Sequence, residues 1–335
     1  MDFATRKLLG ILSGSWLAQA CYAVVKLGVP DLLAGGPRTA DELAAATGAD
    51  ARVLRRLLRA LAAAGVVKQV APRTFALSPV SELLVSTAPG AGHLVALMQG
   101  EEVYRSFAEI MHTVRTGEPA FAKVYGMPFY TYLDENPTAA RTFNTSMGAQ
   151  PVPPALSMMD LGAARSIVDV GGGDGAALGE LLAANAARHG TLLERPDAIA
   201  AARTRLAEAG LLDRVTLVEG DFFDGVPGGG DLYLLARVLH NWTDEHARQI
   251  LHAVRAAMPP GARLLVAEEL LPDGTDAPAP GGLVDLLMLV TLEGYDRTEG
   301  EYRALLDECG FTVTAVDRTG SQGVLTATRS GESDD

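Results

Sequence analysis

Ile167-Val-Asp-Val-Gly-Gly-Gly-Asp-Gly175 is an apolar run that breaks into a glycine-dense turn, and a helical pattern opens at Ala176. Glycines in such a turn let the backbone approach a ligand closely at the carboxyl end of a strand. Gly171, Gly173 and Ala176, with Gly172 between them, satisfy the G-x-G-x-x-[G/A] spacing. About 20 positions on, where a further acidic residue is expected, Glu194 ends the next apolar run with a carboxylate that accepts both hydroxyls of a ribose. Gly220-Asp221-Phe222-Phe223 follows the third run, placing an acceptor for an adenine amino group beside an aromatic surface for its ring. Together these groups describe an adenosine site. The glycine spacing alone leaves a nicotinamide dinucleotide, and hence an oxidoreductase, open. Asp169 and Asp174 put carboxylates around the first loop, which suits a sulfonium cation with an amino-acid tail better than a pyrophosphate. The competing structural readings are Asp174 as a helix cap and Phe222 or Phe223 as core.

Residues of this kind need a parallel sheet to bring them to one edge, and the carboxyl-terminal half has its signature. After Gln150-Pro-Val-Pro-Pro154, short apolar runs at 166–170, 190–193, 215–218, 231–235 and 263–267 alternate with helical patterns, as in a doubly wound Rossmann-like α/β fold. Runs at 311–315 and 323–327 supply late edge strands, and residues 330–335 read as a disordered acidic tail. The first 150 residues are patterned as helices, with turns at Gly28-Val-Pro30, Gly35-Gly-Pro37 and Pro89-Gly-Ala-Gly92. Thr39-Ala-Asp-Glu42 is a capping box. Asp50 caps a helix over 51–64 whose apolar face is Val53, Leu54, Leu57, Leu58 and Leu61, and Gly65 stops it. Two short strands at 66–70 and 74–77 complete a winged-helix unit. The expected organisation is a helical, winged-helix dimerisation domain over 1–150, a catalytic domain over 151–329 and the tail.

Arg52, Arg55, Arg56 and Arg59 share one helix face, with Lys68 and Arg73 in the hairpin, so a DNA-reading winged helix is the chief alternative to an enzyme. With 28 basic against 41 acidic residues the net charge is −13, which repels phosphate backbones and anionic membranes and favours a dimerisation module without nucleic-acid or membrane partners. Cys21 and Cys309 are too few for a disulfide framework or a cysteine-rich zinc site, and no metal is expected. Arg6 and Lys7 ahead of apolar 8–18, with Ala18-Gln19-Ala20 after it, imitate a secretory leader. Asp2, Ser13, Ser15 and Gln19 and the smooth run into Lys26-Leu-Gly28 argue instead for one long helix in a cytosolic, cytoplasmic protein.

Taken together, Val168-Asp-Val-Gly-Gly-Gly-Asp-Gly175, Gly190-Thr-Leu-Leu-Glu-Arg-Pro196, Gly220-Asp-Phe-Phe223 and, most specifically, Leu239-His-Asn-Trp-Thr-Asp244 make the chain resemble the plant-type S-adenosylmethionine-dependent O-methyltransferases, especially bacterial members that decorate aromatic natural products such as antibiotics. The likeness covers nearly the whole chain. It implies a homodimer that uses S-adenosylmethionine, releases S-adenosylhomocysteine and needs no metal. It implies that Gly171 to Gly173 and Glu194 hold the amino-acid and ribose parts, that Gly220, Asp221, Phe222 and Phe223 serve adenine, and that Arg237 and Trp242 lie against the cofactor. It makes His240 the general base, with Glu268 and Asp296 flanking its imidazole. The chemistry suits these residue types. A phenol with the pKa of tyrosine, about 10, costs roughly 4 kcal/mol to ionise at pH 7. A neutral histidine removing that proton is worth about 10²–10⁴ in rate.

Three positions depart from the family pattern: Asn241 stands for Asp, Ala236 for a cofactor-contacting Lys with Arg237 beside it, and Asp296 for Glu. Asn144, Met147, Asp285 and Met288 are the candidates to face a small aromatic substrate, with Tyr104, Phe107 and Met98 behind them. Relatives on this scaffold that hydroxylate, decarboxylate or cyclise while holding S-adenosylmethionine make a non-methylating enzyme the alternative within the fold.

Overall fold

Turn chemistry fixes the amino-terminal helices where the sequence places it. The computed structural model describes residues 2–87, 91–272 and 282–331. The expected tail beyond Gly331 and the Pro89-Gly90 part of one turn lie outside the described residues. Two compact units emerge, Met1–Arg105 with Thr145–Gln150, and Ser106–Asn144 with Pro151–Asp335. The pattern change after Gln150 is one of three points where the chain passes between them.

In the first unit a helix over Phe3–Lys26 ends at Gly28, which is left-handed with φ of 68°. Thr39 accepts from the Glu42 amide at 3.2 Å while the Glu42 carboxylate accepts from the Thr39 amide at 2.7 Å, so the capping box opens helix Ala40–Thr47. Asp50 caps Ala51–Ala63 by accepting from the Val53 amide at 2.8 Å. Leu54, Leu58 and Leu61 of that helix are buried against Val24, Leu33, Leu43 and Phe75. Val53, expected on the same face, is 51% exposed, because it sits at the edge of the apolar arc. The three-stranded wing runs in the order β1 (Arg38–Thr39), β3 (Thr74–Leu77), β2 (Val67–Ala71). Arg73, one of the cations of the DNA reading, pairs with Asp41 at 2.7 Å.

Phe3–Lys26 is the one helix among the described residues long and apolar enough to cross a membrane by length and composition. Within its own unit it leaves Phe3, Leu8, Ile11, Leu12 and Trp16 more than half exposed.

The second unit is built on one mixed sheet. Its strands are β4 (Ser166–Val170), β5 (His189–Glu194), β6 (Val215–Glu219), β7 (Leu232–Ala236), β8 (Arg263–Leu271), β10 (Phe311–Thr319) and β11 (Gln322–Arg329), and the short β9 (Arg297–Thr298) pairs with the end of β8. The order is β10-β11-β8-β7-β4-β5-β6. Strands β4 to β8 are parallel, and β11 and β10 add antiparallel at the edge. Alternate residues feed two cores. Val168, Tyr233, Leu235, Leu264 and Val266 pack under helices Asp244–Ala257 and Glu299–Glu308, whereas Ile167, Leu192, Leu234, Leu265 and Ala267 pack under Ala176–Ala183 and Pro196–Glu208. The chain order reverses between β4 and β7, and ligands of such sheets bind at the carboxyl ends beside that switch. Residues 106–144 add short helices around an aromatic core of Phe121, Phe129 and Phe143 with Leu133.

Candidate active site

The turn after β4 is held by its neighbour. Gly171 (φ 71°) donates its amide to the Leu193 carbonyl at 2.9 Å, and Gly173 donates to Glu194 Oε2 at 3.0 Å. A side chain on Gly172 would overlap the Asp169 carboxylate and Leu192, so this backbone lies directly on the strand below it. Glu194 Oε1 accepts from the Arg195 amide at 2.8 Å, so each oxygen accepts one backbone amide and retains further acceptor capacity. Gly220 donates to the Glu194 carbonyl at 3.1 Å, and Asp221 Oδ1 accepts from the Phe223 amide at 2.9 Å. The glycine turn, the Glu194 carboxylate and the Gly220–Phe223 loop therefore meet at one edge.

Of the two acidic residues in the first loop, Asp174 takes its structural reading. Its oxygens accept from the Ala176 amide at 3.3 Å and the Arg205 Nε at 2.7 Å. Asp169 is different: it is fully buried and neither carboxylate oxygen has a partner. Burial, with the nearby Glu194 carboxylate, pushes its pKa up to about 7. An orphaned acid under the glycine turn is matched by a ligand bringing positive charge and N–H donors, as an amino-acid tail on a sulfonium does. The residues present fit that group.

Aromatic residues line the other side. Phe222 and Phe223 meet the Trp242 indole edge-on at 5.9 and 4.9 Å, and Tyr130 stacks on it at 5.4 Å with an interplanar angle of 21°. Phe222 and Phe223 also pack on the core, so both of their readings hold in part. Tyr130 and Arg195 escaped the sequence reading. Arg195 lies over the Tyr130 ring at 5.3 Å, donates to the Tyr130 carbonyl and pairs with Asp134 and Asp197 at 3.1 Å. The only signal was the Arg beside Glu194 in Glu-Arg-Pro. Asn144, a substrate candidate, donates to Asp197 Oδ2 at 2.8 Å and so joins this network.

After β7 the chain makes a tight turn. Arg237 takes a left-handed φ of 56°, donates its guanidinium to the Pro151 carbonyl at 2.6 Å and receives Asn241 Nδ2 on its own carbonyl at 3.0 Å. The 3₁₀ turn Leu239–Asn241 then carries His240. His240 Nδ1 lies 3.0 Å from Asp296 Oδ1 and 3.7 Å from Glu268 Oε2. The shorter Asp296 thus reaches the ring as well as a hydrogen bond requires. Glu268 Oε1 accepts from the Val238 and Leu239 amides at 3.0 and 2.8 Å, bracing the turn itself. A carboxylate at Nδ1 fixes the proton there and leaves Nε2 as the acceptor. Burial opposes a charged imidazole, but the Glu268 and Asp296 carboxylates outweigh it and hold the His240 pKa above its ordinary value.

Asp285 accepts the Asp296 amide at 3.2 Å, which puts it behind the flanking carboxylate, and Met288 is 4% exposed. Met147 belongs to the first unit, where its sulfur accepts from Gln150 at 3.5 Å. A depression of about 820 Å³ opens at the amino end of β8 beside Met158, Arg263 and Asp317, away from all these groups. Chemistry, rather than size, marks the site.

The chain is similar to known proteins along nearly its whole length. Residues 107–312 match the O-methyltransferase domain family and residues 9–87 the O-methyltransferase dimerisation domain, so the chain belongs to that family. The phenazine O-methyltransferase PhzM of Lysobacter antibioticus is 39% identical over 317 residues, 94% of this chain and 93% of that protein. The structure of the mitomycin 7-O-methyltransferase MmcR is similar at a TM-score of 0.91 and 38% identity, over 98% of each chain. The O-methyltransferase NcsB1 from neocarzinostatin biosynthesis, solved with S-adenosylmethionine and 2-hydroxy-5-methyl naphthoic acid, has a TM-score of 0.81 and 32% identity, over 93% of this chain and 95% of that one. The protein is an S-adenosylmethionine-dependent O-methyltransferase, with a helical dimerisation domain ahead of a Rossmann-like catalytic domain.

Proposed function

We propose that the protein methylates a phenolic hydroxyl of a polycyclic aromatic secondary metabolite, on an antibiotic-type pathway of the plant-type branch of its family, with His240 as general base. The observation that carries this reading is the His240 imidazole, held by Asp296 at 3.0 Å with Nε2 left as the acceptor. S-adenosylmethionine, when bound, supplies an electrophilic methyl group on a sulfonium. Glu194 and the Gly171–Gly173 turn, whose lack of side chains lets the backbone come close, orient the ribose and amino-acid parts, and Asp221 with the Phe222 and Trp242 rings borders adenine. Nε2 of His240 would take the phenol proton as the oxygen gains the methyl group, and the positioning of the reactants by these residues would supply the rest of the rate.

Asn144, Asp285 and Met288 are proposed to lie beside the acceptor, with Asn144 and Asp285 bracing Asp197 and Asp296. The exposed apolar face of Phe3–Lys26 and the dimerisation-domain match over residues 9–87 support a homodimer in which the first unit serves assembly and the second catalysis. The same reading makes the Arg52, Arg55, Arg56 and Arg59 face no reader of DNA and the protein a cytoplasmic one. Incubation with methyl-labelled S-adenosylmethionine and a panel of phenazine, naphthoate and hydroxybenzoate phenols should yield labelled methyl ethers. Titration of the same preparation should give saturable binding of S-adenosylhomocysteine but not of NAD or duplex DNA near physiological salt. Product without label, or tight DNA binding lost on neutralising the four arginines, would replace this reading.

A further inference from the structure

Arg297 is 1% exposed, and a guanidinium so buried persists only where its donors are satisfied. Its partners converge on the turn that carries His240. Nη1 donates to the Leu239 carbonyl at 3.1 Å and Nη2 to the Trp242 carbonyl at 2.9 Å. Nε and Nη2 both reach Asp244 Oδ1, at 3.0 and 2.8 Å, in the first turn of the helix that follows. The Tyr295 ring lies 4.2 Å from its carbon and closes one face. One planar fork therefore holds the backbone immediately before His240 and two residues after it. A lysine ammonium is a point charge without that fixed span.

The chain around Arg297 lies flat against the same turn. A Cβ on Gly294 would fall on the His240 carbonyl and the Asn241 and Trp242 backbone, so no larger residue fits there. Asp296, next to Arg297, is the residue that meets His240 Nδ1. Segment 294–297 thus delivers a flat backbone, a carboxylate and a guanidinium to one four-residue turn, while Glu268 grips that turn's amides from the other side.

We propose that Arg297 is a positioning residue for methyl transfer, setting the register of the His240 imidazole on Asp296 by clamping the Leu239 and Trp242 carbonyls. The proposal rests on His240 as the base, through which Arg297 acts. Misplacement of a reacting group by about 1 Å costs on the order of 10²-fold in rate. Arg297→Met should therefore lower kcat about 10- to 100-fold on whichever phenol of the panel is turned over, and Arg297→Lys by less. In the His240→Ala background, Arg297→Met should cost under about 3-fold more, because groups acting as a unit are non-additive. Nitrogen-15 spectra of histidine-labelled protein, assigned by His240→Ala, need no acceptor. The wild type should show a single Nδ1–H tautomer for His240 and Arg297→Met a mixture, with Arg297→Lys between them.

Full multiplicative losses in the double variant, or an unchanged His240 tautomer in folded Arg297→Met, would overturn the proposal. A wild-type rate in His240→Ala would remove the base and, with it, the route by which Arg297 is said to act. A tautomer mixture in Arg297→Met together with that wild-type rate would assign the failure to the base reading, not to the clamp's grip on the ring.

Discussion

At the ends of β4, β5 and β6 the candidate site groups come from short stretches of chain, and backbone amides hold them in place. At the end of β7 the corresponding groups come from far apart. Glu268 reaches Val238 across 30 residues and Asp296 reaches His240 across 56. The first region needs a backbone that can lie close to its ligand, so glycine spacing and one carboxylate define it. The second needs a ring in one tautomer at one place, which requires charges from several elements. One edge of a sheet thus carries a site tolerant of its surroundings and a site that depends on them.

That contrast sets the largest expected effect. His240→Ala should lower methyl transfer by about 10²-fold or more while leaving S-adenosylhomocysteine affinity near wild type, because the imidazole faces the acceptor. Steady-state kinetics beside calorimetric binding check both halves. The loss should shrink for more acidic phenols, which arrive partly ionised. A parallel loss of affinity would show that the two regions are not separable.

The reciprocal changes lie on the other side of the edge. Glu194→Ala should weaken S-adenosylhomocysteine binding by roughly 1–3 kcal/mol, the scale of losing charge-assisted hydrogen bonds. Gly172→Ala forces a methyl group onto the buried Asp169 carboxylate, and overpacking of that kind costs about 1–3 kcal/mol. Isothermal titration should register the first and denaturant unfolding the second, and saturating cofactor should restore most of the rate of Glu194→Ala. A kcat loss that persists at saturation would place Glu194 in the chemistry as well.

Legibility in the sequence follows the same division. All seven strands expected in the carboxyl-terminal half form, and the five parallel ones were the plainest, because buried parallel strands are continuous apolar runs bounded by glycine or charge. The glycine turn, Glu194 and Asp221 were readable for a similar reason: each closes an apolar run, and a parallel sheet brings such carboxyl ends to one edge. His240, Glu268 and Asp296 came from likeness to a family, since nothing local ties residues 240, 268 and 296 together. Tyr130, Arg195 and Arg297 were missed, as each acts through contacts made only after folding. Asp285 and Asn144 were placed near the site by helical pattern, but pattern could not tell that each bonds another side of the site, Asp285 the Asp296 amide and Asn144 the Asp197 carboxylate.

The smallest expected effect probes how firmly the β7 region depends on its charges. Asp296→Asn keeps an oxygen for the Nδ1–H, so the tautomer and the placement of Nε2 survive, while one of the two negative charges beside the ring is lost. In the wild type both carboxylates favour the charged imidazole against burial, and the pKa of His240 is raised. The base works only when neutral, so kcat should rise with pH through that raised value and fall away below it. Removing one carboxylate removes part of what holds the proton on, and the acid limb of the kcat profile should therefore move to lower pH. At a pH below the wild-type limb the variant should gain in relative rate, and on the plateau it should be slower, since a less basic imidazole is a weaker proton acceptor and its developing charge has lost a partner. A pH profile of kcat at saturating cofactor and acceptor reads both effects. An acid limb that stays in place would mean that the group titrating is not His240, and one that moves up would mean that Asp296 acts on the imidazole by something other than its charge.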